Sequence, residues 1–331
     1  MFIASDLVSF QYSSAEANFV CAIKLGRHVL IIVFGSVGLD IVQSVRRLPQ
    51  PGETVLTADY VMLPGGKGAN QALAAARAGG DVIFVASIGD DDFGRRALVN
   101  LEQAGVFLDN IARVNRPTAC ATISVDSTGE NQIVVSSGAN LQTSARQLHC
   151  GPGDLVLQQM EIPPQEIWAG IDSAVEYGAR AILNAAPYQS IPPESLGKLE
   201  MLIVNEVEAA MLAEDLDINT PSLDQACAQV RDRFGLDMVL TLGGQGAMVI
   251  GKNRNLRANA LPIKALDTVG AGDAFVGAFV AAMAAEKDLA DCLVDGSVAG
   301  GLACLQPGAQ DGVPHRRDIE ARRREIKVVP F

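Results

Sequence analysis

Residues 29–35 read VLIIVFG, an unbroken aliphatic run that ends in glycine. A strand with one wet face alternates apolar and polar side chains. A strand without that alternation has both faces covered, which is the condition of a parallel sheet lying between two layers of helices. The same pattern returns in VIFVASIG (82–89), DLVLQQM (154–160), AILNAAP (181–187), MLIVNE (201–206) and MVLTLGG (238–244). Between these runs lie helical patterns such as ANQALAAARAG, FGRRALVNLEQAG, PQEIWAGIDSAVEYG and LDQACAQVRDRFG, each closed by glycine, a common residue just past a helix C-terminus. Strand–helix alternation with 49% apolar and 19% charged residues predicts a three-layer αβα sandwich around a mostly parallel sheet.

Two stretches break the rhythm. Residues 38–64 and 117–137 carry more turn and polar residues and read as short strands; together they predict a small β-sheet lid over one edge of an α/β domain spanning residues 28–331. Residues 1–27 form an undefined N-terminal extension without the basic region and apolar run of a secretory signal. The C-terminal RRDIEARRREIKVV reads as a basic helix with a solvated face. A net charge of −12 excludes broad nucleic-acid binding, which needs a basic surface. No segment reaches 18 uninterrupted apolar residues, so no membrane span is expected. The six cysteines are dispersed and the three histidines stand at no metal-ligand spacing; the pattern reads as reduced thiols of a cytoplasmic protein without a zinc site.

The chemistry-bearing features are three glycine-rich stretches. There is no G-x-x-x-x-G-K-[ST] loop and no G-x-G-x-x-G after the first strand, which excludes the two commonest nucleotide fingerprints. In PGGKGANQA (64–72), small residues before a helix let a ligand approach the main chain, and Lys67 and Asn70 supply donors. TLGGQGA (241–247) is either a tight hairpin or a ligand-binding turn at the carboxyl end of a strand. In DTVGAGDAF (267–275), Gly270, Ala271 and Gly272 open an apolar helix whose first N–H groups can hold an anion, and Asp273 stands beside them. A carboxylate next to an anion hole can accept a hydroxyl proton while the hole holds the phosphoryl group under attack. An ordinary helix-capping Asp is the plainer alternative.

GGKGANQA followed by DTVGAGDAF resembles the two signatures of the ribokinase family of ATP-dependent carbohydrate kinases, over about residues 29–314. The resemblance implies that Asp273 is the catalytic base and that Gly270, Ala271 and Gly272 form the anion hole. It assigns Asp40, Gly66, Lys67, Asn70 and Glu161 to the sugar, and Thr241, Gly243 and Gly246, with Gly272, to the nucleotide. Asn205 and Glu208 match an N-x-x-E motif that organises Mg²⁺ and phosphates; they equally suit a capped helix start. Asp267, Val269, Ala303, Gln306 and Gly308 match a site for an activating K⁺. The resemblance further implies ATP as phosphate donor, the O5 hydroxyl of ribose as acceptor, and a homodimer paired through the β lid. Two positions depart from the family pattern: Gly38 stands where asparagine is usual at the sugar, and Gly312 where serine is usual near the cation. Gly38 opens the alternatives of 2-deoxyribose, fructose or a nucleoside as acceptor. A non-catalytic sugar-binding protein is the reading from a different functional class.

Overall fold

The computed structural model describes residues 29–331; the expected extension at 1–27 lies outside the described residues. The apolar runs form the strands they suggest. β1 (Ile31–Phe34), β4 (Val82–Gly89), β8 (Leu155–Gln158), β9 (Arg180–Asn184), β10 (Met201–Asn205) and β11 (Asp237–Thr241) are parallel neighbours in one sheet, joined at one end by β5 (Ile111–Val114). The order runs β14-β13-β12-β11-β10-β9-β8-β1-β4-β5, where β12 (Ala247–Ile250), β13 (Asn255–Ala258) and β14 (Val328–Pro330) are antiparallel additions at the far edge.

Helices cover both faces. On one side lie α1 (Lys67–Arg77), α2 (Asp92–Gln103), α7 (Ala271–Ala284), α8 (Leu289–Ala303) and α9 (Arg316–Arg322), packed on Ile31, Val33, Phe84 and Val239. On the other lie α3 (Pro164–Glu176), α4 (Pro193–Leu196), α5 (Glu206–Asp215) and α6 (Leu223–Phe234), packed on Ile32, Phe34, Val85 and Leu240. Adjacent residues of one strand therefore feed opposite cores, which is why these strands lack alternation. None of the described helices is long and apolar enough to cross a membrane.

The chain runs from β1 to β4 on one side, then returns to add β8 and β9 on the other. The crevice at the carboxyl ends of β1 and β8 is thus the topological switch point where open α/β sheets bind ligands. Gly35 and Ser36 leave β1 there, and Gln159 to Glu161 leave β8.

A separate four-stranded sheet, ordered β3-β2-β6-β7, is rooted beside this crevice, where β2 follows β1 after Gly35 to Val37. Its strands are β2 (Gly38–Ser44), β3 (Tyr60–Gly65), β6 (Ala119–Val125) and β7 (Asn131–Ser136). The Asp91 carboxylate ties it to the body: it accepts from Thr118 N–H at 2.8 Å, Thr118 Oγ1 at 2.7 Å and Gly94 N–H at 2.8 Å, so one side chain caps α2 and holds the foot of β6.

The C-terminal segment departs from the sequence expectation. The helix stops at Arg322, and the chain ends as strand β14. Its arginines are not simply solvated. Asp295 on α8 is fully buried; it is paired with Lys287 at 2.9 Å, with Arg316 at 2.9 Å and with Arg323. A buried carboxylate persists only when paired, and Arg316 and Arg323 pin the tail to α8.

Candidate active site

Glycine permits the close packing that builds the site. Gly66 precedes α1 at φ +90°, and a Cβ there would lie 2.8 Å from Val37 Cα; one on Gly68 would lie 2.5 Å from Ser36 N. The start of α1 can therefore cross directly over the end of β1. Gly277 plays the same part in α7: a Cβ there would meet the Ala74 Cβ at 2.5 Å and Gln71 O at 2.6 Å. Helices α1 and α7 touch backbone to backbone along Ala74 and Ala75, and the first turn of α7 is delivered against Asn70 and Gln71.

That contact defines the surroundings of Asp273, which is 7% exposed. Asn70 Nδ2 donates to Asp273 Oδ2 at 3.0 Å, and Gln71 Nε2 donates to Oδ1 at 2.9 Å. Gln71 also donates to Asn184 Oδ1 at 2.8 Å and accepts from Gln159 Nε2 at 2.7 Å. Gln310 Nε2 donates to Asn70 Oδ1 at 2.9 Å, and Gln310 Oε1 accepts from Asn100 Nδ2 at 3.0 Å. The sequence expectation included Asn70 but missed Gln71, Asn184, Gln159 and Gln310. Gln71 follows Asn70 in PGGKGANQA, and the strand-end position of Asn184 in AILNAAP was the available signal. Nothing local in the sequence marks Gln310.

On the lid side, Asp40 lies against Gly65, where a Cβ would come within 2.6 Å of its Oδ2. Burial first, and then the charge of Glu161, push Asp40 up to about 6. Glu161 Oε2 accepts from Ser36 Oγ at 2.6 Å and from Lys67 N–H at 2.9 Å. The Lys67 ammonium is held above its ordinary range by Asp273 first, against the opposing effect of burial, and then by Glu161 and Glu208. Lys67, expected at the sugar, lines one cavity with Asn205, Glu208 and Asp273.

That cavity, of about 210 Å³, is also lined by Asn184, Thr241, Gly270 and Gly272. It meets a larger one of about 670 Å³, with which it shares Asn205, Thr241, Thr268 and Gly272. The larger cavity has apolar walls from Leu261, Pro262, Ile263 and Phe275 and a floor of Gly243, Gly244 and Gly246. A Cβ on Gly243, Gly244 or Gly272 would meet no atom within 4 Å, so these backbones face open space. The hairpin expected of TLGGQGA is present, with β11 and β12 antiparallel, and its turn borders the cavity. Both readings of Asn205 and Glu208 are compatible. Asn205 Oδ1 accepts from Glu208 N–H at 2.9 Å and Glu208 Oε2 from Asn205 N–H at 2.8 Å, a capping box at the start of α5 that faces the cavity. Burial raises the Glu208 carboxyl, with the Lys67 charge opposing.

The proposed cation ligands also converge in part. Asp267 Oδ1 accepts from Val269 N–H at 3.0 Å and Oδ2 from Gly308 N–H at 2.9 Å. Leu266 and Asp267 N–H groups donate to Cys304 O, next to Ala303. Gly312 abuts this corner, since a Cβ there would lie 2.4 Å from Ala303 O. Gln306 is exposed. Gly38 is tightly packed rather than open: its Cβ position is 2.7 Å from Ala119 O across the β2–β6 pairing.

A buried carboxylate at a helix N-terminus, set between a polar pocket and an apolar slot, is suited to moving a phosphoryl group onto a hydroxyl. Comparison with known proteins agrees. The pfkB family carbohydrate kinase model matches residues 29–316, and the chain belongs to that family. Among its relatives, the ribokinase of Bacillus subtilis is 35% identical over 88% of this chain and 98% of its own length. That of Haemophilus influenzae is 33% identical over 87% and 96%. The ribokinase structure from Thermotoga maritima superposes with a TM-score of 0.82 at 32% identity, covering 89% of this chain and 98% of that one. The Arabidopsis thaliana ribokinase, solved with ribose and ATP, gives 0.80 at 29% identity over 89% and 98%.

The position of Asp40 generates a pH prediction. Its raised value means that the carboxylate, the better hydroxyl acceptor, is lost as pH falls through about 6. The kcat/KM for sugar should fall on the acid side of that value, and the Asp40→Asn enzyme, though weaker, should lose this limb. An acid limb centred near the usual carboxylate range in the wild type, or unchanged in the variant, would contradict the assignment.

Proposed function

We propose that this protein transfers the γ-phosphate of ATP to the O5 hydroxyl of D-ribose, giving ribose 5-phosphate. The observation that carries the reading is Asp273, a buried carboxylate with both oxygens oriented by Asn70 and Gln71, in one cavity with Lys67, Asn205 and Glu208. Ribokinases among the relatives, one of them solved with ribose and ATP, support the choice of substrates. Asp40 and Glu161 accept sugar hydroxyls, with Gly66, Lys67 and Asn70 around the ring. The adenine occupies the apolar slot, and Thr241, Gly243 and Gly246 carry its phosphates inward. Asp273 takes the proton of O5 as the oxygen bonds to the γ-phosphorus and the bond to the ADP oxygen breaks. The first-turn N–H groups at Gly270, Ala271 and Gly272, with the Lys67 ammonium, stabilise the charge that develops on the phosphoryl oxygens. The lid excludes water that would otherwise compete as acceptor.

The oxygen-rich pocket around Asn205 and Glu208 fits Mg²⁺ held through water, which when bound neutralises phosphate charge. The two segments that carry Asp267 and Val269, and Ala303, Gln306 and Gly308, meet where Asp267 accepts from Gly308 N–H, and this corner fits a monovalent cation, K⁺, held largely by carbonyls. Dispersed cysteines, with Cys227 and Cys292 buried among apolar side chains, support a reducing, cytoplasmic setting. The lid supports a homodimer. β7 is a sheet edge with every residue exposed; Ile133, Val134 and Val135 project from it, and Tyr60 and Val61 are bare on β3. An apolar, unpaired edge of this kind calls for a partner.

An ADP-release assay across ribose, 2-deoxyribose, fructose and adenosine tests the reading. Ribose should give the highest kcat/KM, and silence with all four would revive the non-catalytic alternative. Asp273→Asn should lower kcat by about 10²–10⁴-fold, the usual loss for a general base; near-normal turnover would remove Asp273 from that role. K⁺ should raise the rate above that in Na⁺ at equal ionic strength, and equal rates would dismiss the cation site alone. Sedimentation should show a dimer that Val134→Lys shifts to monomer; a monomeric wild type would discard the lid interface.

A further inference from the structure

We infer that Gln310 is a positioning residue for the reaction: it fixes the direction of the Asn70 amide and, through Asn70, the orientation of one oxygen of Asp273. The inference rests on the kinase reading above and adds to it a residue outside both signature motifs. An ionised carboxylate only accepts hydrogen bonds, so Asn70 must turn its NH₂ group toward Asp273 Oδ2. Its Oδ1 then faces away and needs a donor, which Gln310 Nε2 supplies at 2.9 Å. Gln310 Oε1 in turn needs a donor, which Asn100 Nδ2 supplies at 3.0 Å. The three amides form a relay with one polarity, from half-buried Asn100 on α2 to the carboxylate on α7. Gln310 is 2% exposed and Asn70 5% exposed, so bulk water is not at hand to replace a missing link.

The backbone of Gln310 is as firmly set as its side chain. Arg77, at the end of α1, donates to Gln310 O at 3.0 Å and to Val313 O at 2.8 Å. Two residues earlier in the same loop, Gly308 N–H is held by Asp267. The loop thus has one hand on the approach to α7 and the other on α1, and Gln310 is where it reaches the base. On the opposite side, Gln159 sets Gln71 in the same fashion, and Gln71 donates to the other oxygen of Asp273. Asp273 is therefore oriented by two amides, each of which is itself oriented by a further amide.

A double-mutant cycle separates this role from simple loop packing. Gln310→Ala should lower kcat by about 10-fold, the scale of one buried hydrogen bond left unmade, with the KM for ATP within about twofold of wild type. In an Asn70→Ala background the same change should cost less than about twofold, because the relay is already cut. Equal losses in both backgrounds would overturn the inference. Gln310→Glu guards against misfolding, since it keeps the volume and still accepts from Asn100. In its ionised form, favoured at the alkaline end of the activity range where kcat is read, it presents an acceptor to Asn70 Oδ1, so either that contact or the one to Asp273 becomes acceptor against acceptor. Its kcat should fall at least as far as that of the alanine variant; wild-type kcat would overturn the proposal.

A second readout needs no turnover, and so distinguishes a failed relay from a failed substrate assignment. In side-chain-amide NMR of the full chain, the Asn70 NH₂ protons should exchange slowly in the wild type and fast in both Gln310 variants. Unchanged protection would overturn the relay even if the protein phosphorylates a sugar other than ribose.

Discussion

The site depends on one steric fact, the backbone-to-backbone contact of α1 and α7 at Gly277. Glycine in a helix interior costs about 1 kcal/mol relative to alanine, and nothing in α7 alone repays that. The return is geometric. Without a Cβ at position 277, the helix lies on Ala74 and Ala75, and side chains one turn earlier arrive at hydrogen-bond distance. Asp273 meets Asn70 and Gln71 because Gly277 meets Gln71 O. On its other side α7 is packed against α8 with Gly296 and Gly300, near Phe275 and Ala271 O. The helix that bears the carboxylate is therefore gripped on two sides by small-residue seams that leave it little room to tilt.

Much of this was legible in the sequence, and the reason is local. The runs at 29–35, 82–89 and 201–206 announce strands covered on both faces because consecutive residues in them are apolar. The glycine-rich stretches announce close backbone approach because a side chain there would collide. Features fixed by distant chain were not legible. Gln310 lies 240 positions from Asn70, and no periodicity connects them. The tail's basic residues looked like a solvated helix face because their partner, Asp295, is an ordinary helix residue in sequence and is buried only after folding. Strands β13 and β14 were missed for a related reason: they are short and pair at an edge, where tertiary context decides.

Gly38 shows how a substitution can change meaning once packing is known. In the sequence it is an absent asparagine, a hydrogen bond removed from the sugar. In the structure the space that asparagine would need is taken by the backbone of Ala119. The β2–β6 pairing closes over the position, so a side chain there would require the two strands to move apart.

The lid is spliced into the chain without a linker. Only Gly35 to Val37 separate β1 from β2, and Gly66 alone separates β3 from α1. These two junctions are packed on each other, with the Cβ position of Gly66 2.8 Å from Val37 Cα. A rotation of the lid about its root must pass through that crossing. The lid has no free hinge at this root, since the crossing joins Asp40 at one end to the first turn of α1 at the other. The position of Asp40 and the placement of the Asn70 and Gln71 amides against Asp273 are, in this architecture, set by one crossing.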